Sequence, residues 1–399
     1  MQERSLRVFF ALAVTLATVL VVVGFTNRSE ATATVNLAMI SPLTGPLAFV
    51  GQDNRAGVEA AIAEINRRGG IKGRQIELDI FDDASNPSQG VVHMQRIAGD
   101  SKYLGVIGSG FSSVGLAVQP IVSSAQIPYI SMASSAAQVT PAKPYYFMTT
   151  ATSRLFAYNM AAHLRKVGIK RIALMVDNGG FGREGLRNVK ELANRFGFTI
   201  VEEIVFPLTS TSFTAELAKV KSSSAQALWL WNATATAITI TREASQLQLT
   251  QRLVLTGGNG SLNYLQAACP ATNGAFINTY LGPVDNYLPK ANKSRPLAIN
   301  LDKLLKKHGS TFNYDGYTAP YMYKRAIELG GFNRAGVNTA LETRMKGFVG
   351  PGGRYYYSPL NHSGLGVKSM VVSQIKNCGL VPIAGQKVEG GTITGRIIR

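Results

Sequence analysis

Strand-like and helix-like segments alternate through most of this sequence, and that alternation restricts the fold more than any other feature. Val35–Ile40 is an apolar run that stops at Ser41-Pro42-Leu43-Thr44-Gly45-Pro46, a loop. Val58, Ala61, Ile62 and Ile65 then fall at i, i+3, i+4 and i+7, one face of an amphipathic helix that Gly69-Gly70 ends. The spacing predicts a strand over Gln75–Phe81, a helix to about Ala98, a strand over Leu104–Ile107, a helix to about Ser124 and a strand over Pro128–Ile130. A second series begins near Ser153 with a helix carrying Ala157, Ala161 and Leu164. Strands follow over Arg171–Val176, Thr199–Val205, Ala227–Trp231 and Leu253–Leu255, separated by helical patterns. Thr234–Leu249 conflicts with itself, because its Thr and Ile favour a strand while its place in the alternation demands a helix. Strand–helix repetition with short connections means parallel sheets covered on both faces, and two series mean two α/β lobes.

The remainder differs. Helical patterns over Leu301–His308, Ala319–Leu329 and Val337–Lys346 precede strand-rich Arg354–Tyr357 and Gly366–Gln374, and the polar, Gly-rich tail 385–399 is expected to fray. At 399 residues the chain exceeds what one core supports, and 46% apolar content excludes a disordered chain. Arg4 and Arg7 precede the low-polarity run Val8–Phe25, and Ala31-Thr32-Ala33 follows, so residues 1–33 read as an export signal, with a retained membrane helix as the alternative. No Cys lies nearby to carry a lipid anchor. Export to the periplasm would expose Cys269 and Cys378 to an oxidising compartment, where a disulfide and two buried thiols are both open.

Signals of catalysis are sparse. His93 and His163 fall inside helix patterns, and His308 closes one beside Lys306 and Lys307, as a cation at a helix C-terminus. No HExxH, CxxC, GxSxG or GxxxxGK[ST] spacing occurs, which argues against a transition-metal site, a serine hydrolase and a nucleotide-phosphate loop. Asp82-Asp83 at a strand end reads as loop or helix-cap chemistry rather than a metal pair. The net charge of +18 is spread through the chain without basic–aromatic interleaving, so nucleic acid is not an expected partner. Two Gly/Ser loops are more telling. Gly108-Ser109-Gly110-Phe111-Ser112-Ser113 and Ser131-Met132-Ala133-Ser134-Ser135 each follow a strand, where open α/β sheets bind ligands. Backbone N–H groups at a helix start, with serine hydroxyls, can hold a carboxylate without an arginine.

An ordered string of motifs carries a resemblance. Val35–Pro46, Gly51-Gln52, Ala63-Glu64-Ile65-Asn66 with Gly69–Arg74, Asp82-Asp83 with Pro87, Val106-Ile107-Gly108, Phe181-Gly182-Arg183-Glu184-Gly185 and Asp315-Gly316-Tyr317 resemble the branched-chain amino acid-binding (Leu/Ile/Val-binding) family, type I periplasmic solute-binding proteins of ABC importers. The likeness implies two doubly wound parallel-sheet lobes joined by a hinge, with residues 34–152 plus 283–350 in one and 153–282 plus 351–384 in the other. It implies a monomer without cofactor or catalytic activity that hands a small solute to a membrane permease. Its carboxylate-holding serine falls on Ser112, and its contacts after the fourth strand on Ala133, Ser134 and Ser135. Its aromatic positions fall on Val50, a departure, and on Phe181, and further ligand positions on Asn232, Ala233 and Asn259. The acid that would pair with a ligand's ammonium falls near Gly258-Asn259, and no Asp or Glu lies between Glu243 and Asp285. An unpaired buried ammonium is strongly penalised. The expected solute is therefore an aromatic or aliphatic carboxylate, with an amide- or urea-type solute, or an amino acid served by an acid from elsewhere, as alternatives. A sensor ectodomain of the same fold is the rival role.

Overall fold

The computed structural model describes residues 33–398, and the export segment lies outside them up to Thr32. The residues from Val35 onward form one contact-rich unit. The first half runs β1 (Val35–Ser41), α1 (Ala48–Arg67), β2 (Ile76–Asp82), α2 (Pro87–Ala98), β3 (Tyr103–Ile107), α3 (Ser112–Ala125), β4 (Tyr129–Ser131) and β5 (Tyr146–Met148). The second series runs α4 (Ser153–Lys166), β6 (Arg171–Asp177), α5 (Gly180–Phe196), β7 (Thr199–Phe206), α6 (Thr214–Ser222), β8 (Ala227–Trp231), α7 (Thr236–Gln246), β9 (Arg252–Leu255), α8 (Leu262–Ala267) and β10 (Phe276–Tyr280). Three helices follow, α9 (Arg295–Leu305), α10 (Thr311–Gly330) and α11 (Arg334–Arg344), then a hairpin of β11 (Lys346–Gly350) and β12 (Gly353–Tyr356). The chain ends in β13 (Met370–Lys376), β14 (Gly379–Pro382), β15 (Lys387–Val388) and β16 (Gly391–Thr392).

The strands sort into two main sheets. The first is all parallel in the order β2-β1-β3-β4-β5. The second has the order β14-β13-β10-β9-β8-β6-β7, parallel from β7 to β10 and antiparallel at β13 and β14. Within each, the first strand of the series lies between the second and third, so each sheet has a point where successive crossovers leave in opposite directions. Such points open a crevice at the strand C-termini.

Thr236–Gln246 resolves in favour of the helix, because Ala237, Ile240, Thr241 and Ala244 form one buried stripe at i, i+3, i+4 and i+7. Burial of that stripe outweighs the β preference of its Thr and Ile residues. The last helices also settle by packing. α10 lies against α1 with backbones in near contact: a Cβ on Gly316 would sit 2.1 Å from the Asn54 carbonyl oxygen, and one on Gly57 2.1 Å from that of Asn313. Asn54 donates to the Phe312 carbonyl (2.9 Å) and Asn313 to that of Asp53 (2.7 Å), which locks the crossing.

Three expectations change or resolve here. The tail does not fray: Val388 and Ile393 are buried with Leu281, Val284 and Val371, Arg354 pairs with Glu389, and Ile398 donates to the Asn286 carbonyl (2.7 Å). Two apolar residues in a polar stretch were enough to seat it. His308 does not close a helix, because α9 ends at Leu305 with Lys306 in the left-handed region (φ 55°). Its Nδ1 lies 2.6 Å from an Asp302 oxygen and 3.9 Å from one of Asp285. Burial lowers the imidazole value, but these acids and the Pro283 carbonyl outweigh it and push it up to about 9, so His308 is their counter-ion. Cys269 and Cys378 form a disulfide (Cα–Cα 5.7 Å) joining the end of α8 to the β13–β14 turn.

The α1–α10 contact yields a stability prediction. Gly316→Ala forces two backbones apart and should cost about 1–3 kcal/mol. A thermal melt should show a loss of several degrees, while Ala at the open position Gly366, where nothing lies within 4 Å, should leave the melt nearly unchanged.

Candidate functional site: a cavity between the strand ends of the two sheets

The C-terminal ends of the two sheets face one another across a cavity. The loop after β3 supplies Gly110, Phe111 and Ser112, the segment after β4 supplies Met132 and Ser134, and Thr150 follows β5. Opposite them stand Asp177 and Phe181 at the end of β6 and start of α5, Ala233 and Thr234 after β8, Gly257 and Gly258 after β9, and Tyr280 at the end of β10. The first turn of α10 adds Thr311, Phe312 and Asp315. Aromatic and aliphatic side chains make up most of the wall, and Phe181 leans on Trp231 with ring centroids 5.4 Å apart.

Features that favour a negative charge are local. α3 begins at Ser112 after Phe111, whose side chain offers no cap, so its first-turn N–H groups are left uncapped beside the cavity. α5 also begins here, and its Gly180 N–H donates to Ser113 Oγ (3.0 Å). Two helix N-termini therefore meet at one cavity, a setting that favours negative charge. At α5 that charge is built in. Asp177 accepts the Gly179 N–H (2.8 Å) and the Asn232 amide (3.2 Å). Burial still pushes its carboxyl up to about 6 against these hydrogen bonds and one from Gly182. At α3 no acid caps the helix.

Asp315 is different in kind. It is buried; Tyr280 donates to its Oδ2 (2.5 Å), and its Oδ1 has no hydrogen-bond partner among the described residues. Burial holds its carboxyl well above the usual range, and the hydrogen bond from Tyr280 only partly offsets this. Among the described residues, no Lys, Arg or His lines the cavity.

The residues expected at the site separate into two groups. Ser112, Ser134, Phe181 and Ala233 line the cavity. Ala133, Ser135, Val50, Asn232 and Asn259 are buried beside it without lining it. Val50 sits behind the first loop, where its Cγ1 would meet a Cβ at Gly110 at 2.8 Å. Asn232 holds Asp177, and Ser135 donates to Glu184. No acid lies between Glu243 and Asp285, but Asp177 and Asp315 line the cavity from β6 and α10, which is the alternative of an acid arriving from elsewhere. Asp315 was visible only as part of the Asp315-Gly316-Tyr317 motif, and nothing local marked it as facing a ligand. Asp82 and Asp83 act as loop acceptors, Asp82 for the Leu43 and Thr44 N–H groups and Asp83 for that of Ser85. Burial pushes Asp83 up to about 6.

The sequence profile described as periplasmic binding protein matches residues 34–379. The chain belongs to the periplasmic binding protein family. That family comprises substrate-binding proteins rather than enzymes, and its members here are of type I. A relative from Brucella melitensis, Leu/Ile/Val-binding protein homolog 3, is 28% identical over 311 residues, covering 77% of this chain and 82% of its own. Among solved structures, a solute-binding protein of an ABC transporter from R. palustris in complex with benzoate is similar with a TM-score of 0.79 at 18% identity, covering 92% of this chain and 99% of that one. A branched-chain amino acid transporter substrate-binding protein from Streptococcus pneumoniae in complex with isoleucine has a TM-score of 0.76 at 19% identity, covering 87% and 98%. The two-sheet architecture read from the sequence is thus that of this binding-protein fold.

The buried acids set a pH dependence. An acid whose folded value lies above its unfolded one holds its proton longer when folded, so its contribution is greatest below about pH 4 and is lost as pH rises through the folded value. Asp83, Asp177 and Asp315 all shift this way. Glu64, Asp79, Asp82 and Glu389 shift the other way and act below their ordinary values. His163 and His362, whose values burial lowers, oppose this trend up to about pH 6.5, so the acid's own signature is a difference: relative to wild type, the melting temperature of Asp315→Asn should rise between about pH 4.5 and 8, measured by calorimetric melts across that range.

Proposed function

We propose that this chain is the extracytoplasmic binding component of an ABC importer, and that its cavity takes an amino acid with an apolar side chain for delivery to a membrane permease. The observation that carries the ligand assignment is Asp315, a buried acid beside a cavity that no basic residue lines among the described residues, with one buried oxygen that has no hydrogen-bond partner there. A charge in that setting needs a counter-ion, and no described residue lining the cavity supplies one, so a cationic group on the ligand would. The ligand's ammonium would lie against Asp315 Oδ1. Its carboxylate would take the uncapped N–H groups of α3 with the hydroxyls of Ser112 and Ser134, and its side chain would lie among Phe111, Phe156, Phe181 and Phe312. The name of the Brucella relative and the isoleucine complex of the S. pneumoniae protein are in keeping with this. The family and the basic–apolar N-terminal segment support a periplasmic location.

A second reading has its own support. Because burial favours the neutral form, Asp315 can keep its proton and donate it to a carboxylate, which would suit a solute without an ammonium. The R. palustris neighbour binds benzoate. Titration calorimetry with L-leucine and with benzoate separates the two. On the amino-acid reading, Asp315→Asn weakens L-leucine by tenfold or more, since it removes a charge-assisted contact of about 1.5–3 kcal/mol. Benzoate binding that is tighter than that of L-leucine and survives Asp315→Asn would sink it. Ser112→Ala should weaken whichever ligand binds, by roughly tenfold.

A further inference from the structure

Positive charge that is scattered along the sequence gathers at the end of the second sheet away from the cavity. Strands β6 to β10 run parallel and β13 runs against them, so the N-terminal ends of the former and the C-terminal end of the latter share one edge. Backbone bonds tie that edge together, from the Thr199 N–H to the Lys170 carbonyl, from Gln226 to Arg171, from Arg252 to Gln226 and from Gly274 to Ile375. Lys170, Arg171, Arg252 and Lys376 stand exposed along it. The last turns of α4, α5 and α6 arrive at the same end. They bring Arg165 with Lys166, Arg195, and Lys219 with Lys221, all exposed. Cations are favoured at helix C-termini, which accounts for those on the helices. Lys170, Arg171, Arg252 and Lys376 have no helix end to serve.

This charge is not neutralised locally. Among the described residues none of these side chains is in an ion pair, and of the acids further along α5 and β7, Glu191 and Glu203 are taken by Arg154 and Lys190, which leaves Glu202. Backbone carbonyls hold several of the cationic heads in place: that of Ser224 for Arg171 Nε (2.7 Å), Gly274 for Arg252 Nη1 (2.8 Å) and Leu247 for Lys221 Nζ (2.7 Å). The corresponding end of the first sheet is mixed in sign, with Arg68 against Glu64 and Lys102 on Asp79 at 2.8 Å. From β6 to β13 the row crosses about 20 Å at the usual spacing of strands, too far for one small anion to span. It fits an extended anionic surface. Val167, 45% exposed between Lys166 and Lys170, adds an apolar residue to the same face. The cavity lies at the opposite ends of the strands, so contact here leaves it uncovered. We propose that this end of the second sheet is a docking face for a membrane surface rich in anionic phospholipid, which would keep the binding protein close to the bilayer that holds the permease. The choice of partner rests on the extracytoplasmic role proposed above, and not on which solute the cavity takes.

Flotation of the folded unit from Val35 onward with lipid vesicles tests this, since the apolar run Val8–Phe25 would bind lipid by itself. At low salt the protein should float with vesicles of phosphatidylcholine and phosphatidylglycerol in about equal parts and not with phosphatidylcholine alone, and about 0.5 M salt should release it. Lys166→Glu, Lys170→Glu and Lys376→Glu combined should weaken that binding by tenfold or more. Arg67→Glu, Lys72→Glu and Lys303→Glu combined make the same change in net charge on α1, the loop after it and α9, and should leave most of the binding in place. All six side chains are exposed, and unchanged thermal melts show that each variant folds. Wild type that floats with neither vesicle, equal losses in the two variants, or tighter binding to soluble polyphosphate than to the vesicles would overturn the docking face. Failure of L-leucine to bind any form would count against the amino-acid reading and leave the flotation result to decide the docking face.

Discussion

The backbone contact between α1 and α10 at Gly57 and Gly316 governs the geometry of the cavity. With no side chain between them, the two helices approach until Asn54 and Asn313 can each bond the other helix's carbonyls. That fixes the rotation and the height of α10. Its first turn then presents Thr311, Phe312 and Asp315 to the cavity, while Thr311 and Asp315 meet Gly257 and Tyr280 of the second sheet's strand-end region. A residue more than two hundred positions from α1 thus becomes a wall of a site otherwise built from strand-end loops.

Much of the fold was legible in the sequence because its signals are short-ranged. Alternation within β2 and the apolar stripes of α1 and α5 declare themselves within a window of a dozen residues. What was not legible depends on partners far along the chain. α7 looked ambiguous because intrinsic preference and burial disagree, and only the neighbouring sheet decides between them. The tail looked loose because its two apolar anchors, Val388 and Ile393, are isolated in sequence and acquire their neighbours from Leu281 and Val284, about a hundred residues earlier, and from Val371 of β13.

The site divides along the same line. Ser112, Ser134, Phe181 and Ala233 were legible because each sits in a loop directly after a strand, where topology alone points to a ligand. Ser134 and Ser135 show the limit of that reasoning. Ser135 has extended backbone (φ −63°, ψ 119°), and successive side chains along extended chain point to opposite sides. Ser134 therefore reaches the cavity, and Ser135 turns to Glu184. Asp315 escaped because the missing acid was sought along the chain, between Glu243 and Asp285, whereas the cavity gathers its charges in space.

The two cavity acids show why location and satisfaction must be weighed together. Asp177 costs free energy to bury, but its oxygens take the Gly179 N–H and the Asn232 amide, and it lies at the positive end of α5. It is explained as structure. Asp315 receives Tyr280 on one oxygen and nothing among the described residues on the other. The chain's net charge of +18 does not relieve this, because among the described residues the basic side chains stand outside the cavity lining, and water screens them over about 8–10 Å. Global charge and local charge are opposite in sign here. The field outside bears on how a solute approaches, whereas the uncapped start of α3 and the unpartnered oxygen of Asp315 bear on what the cavity can hold.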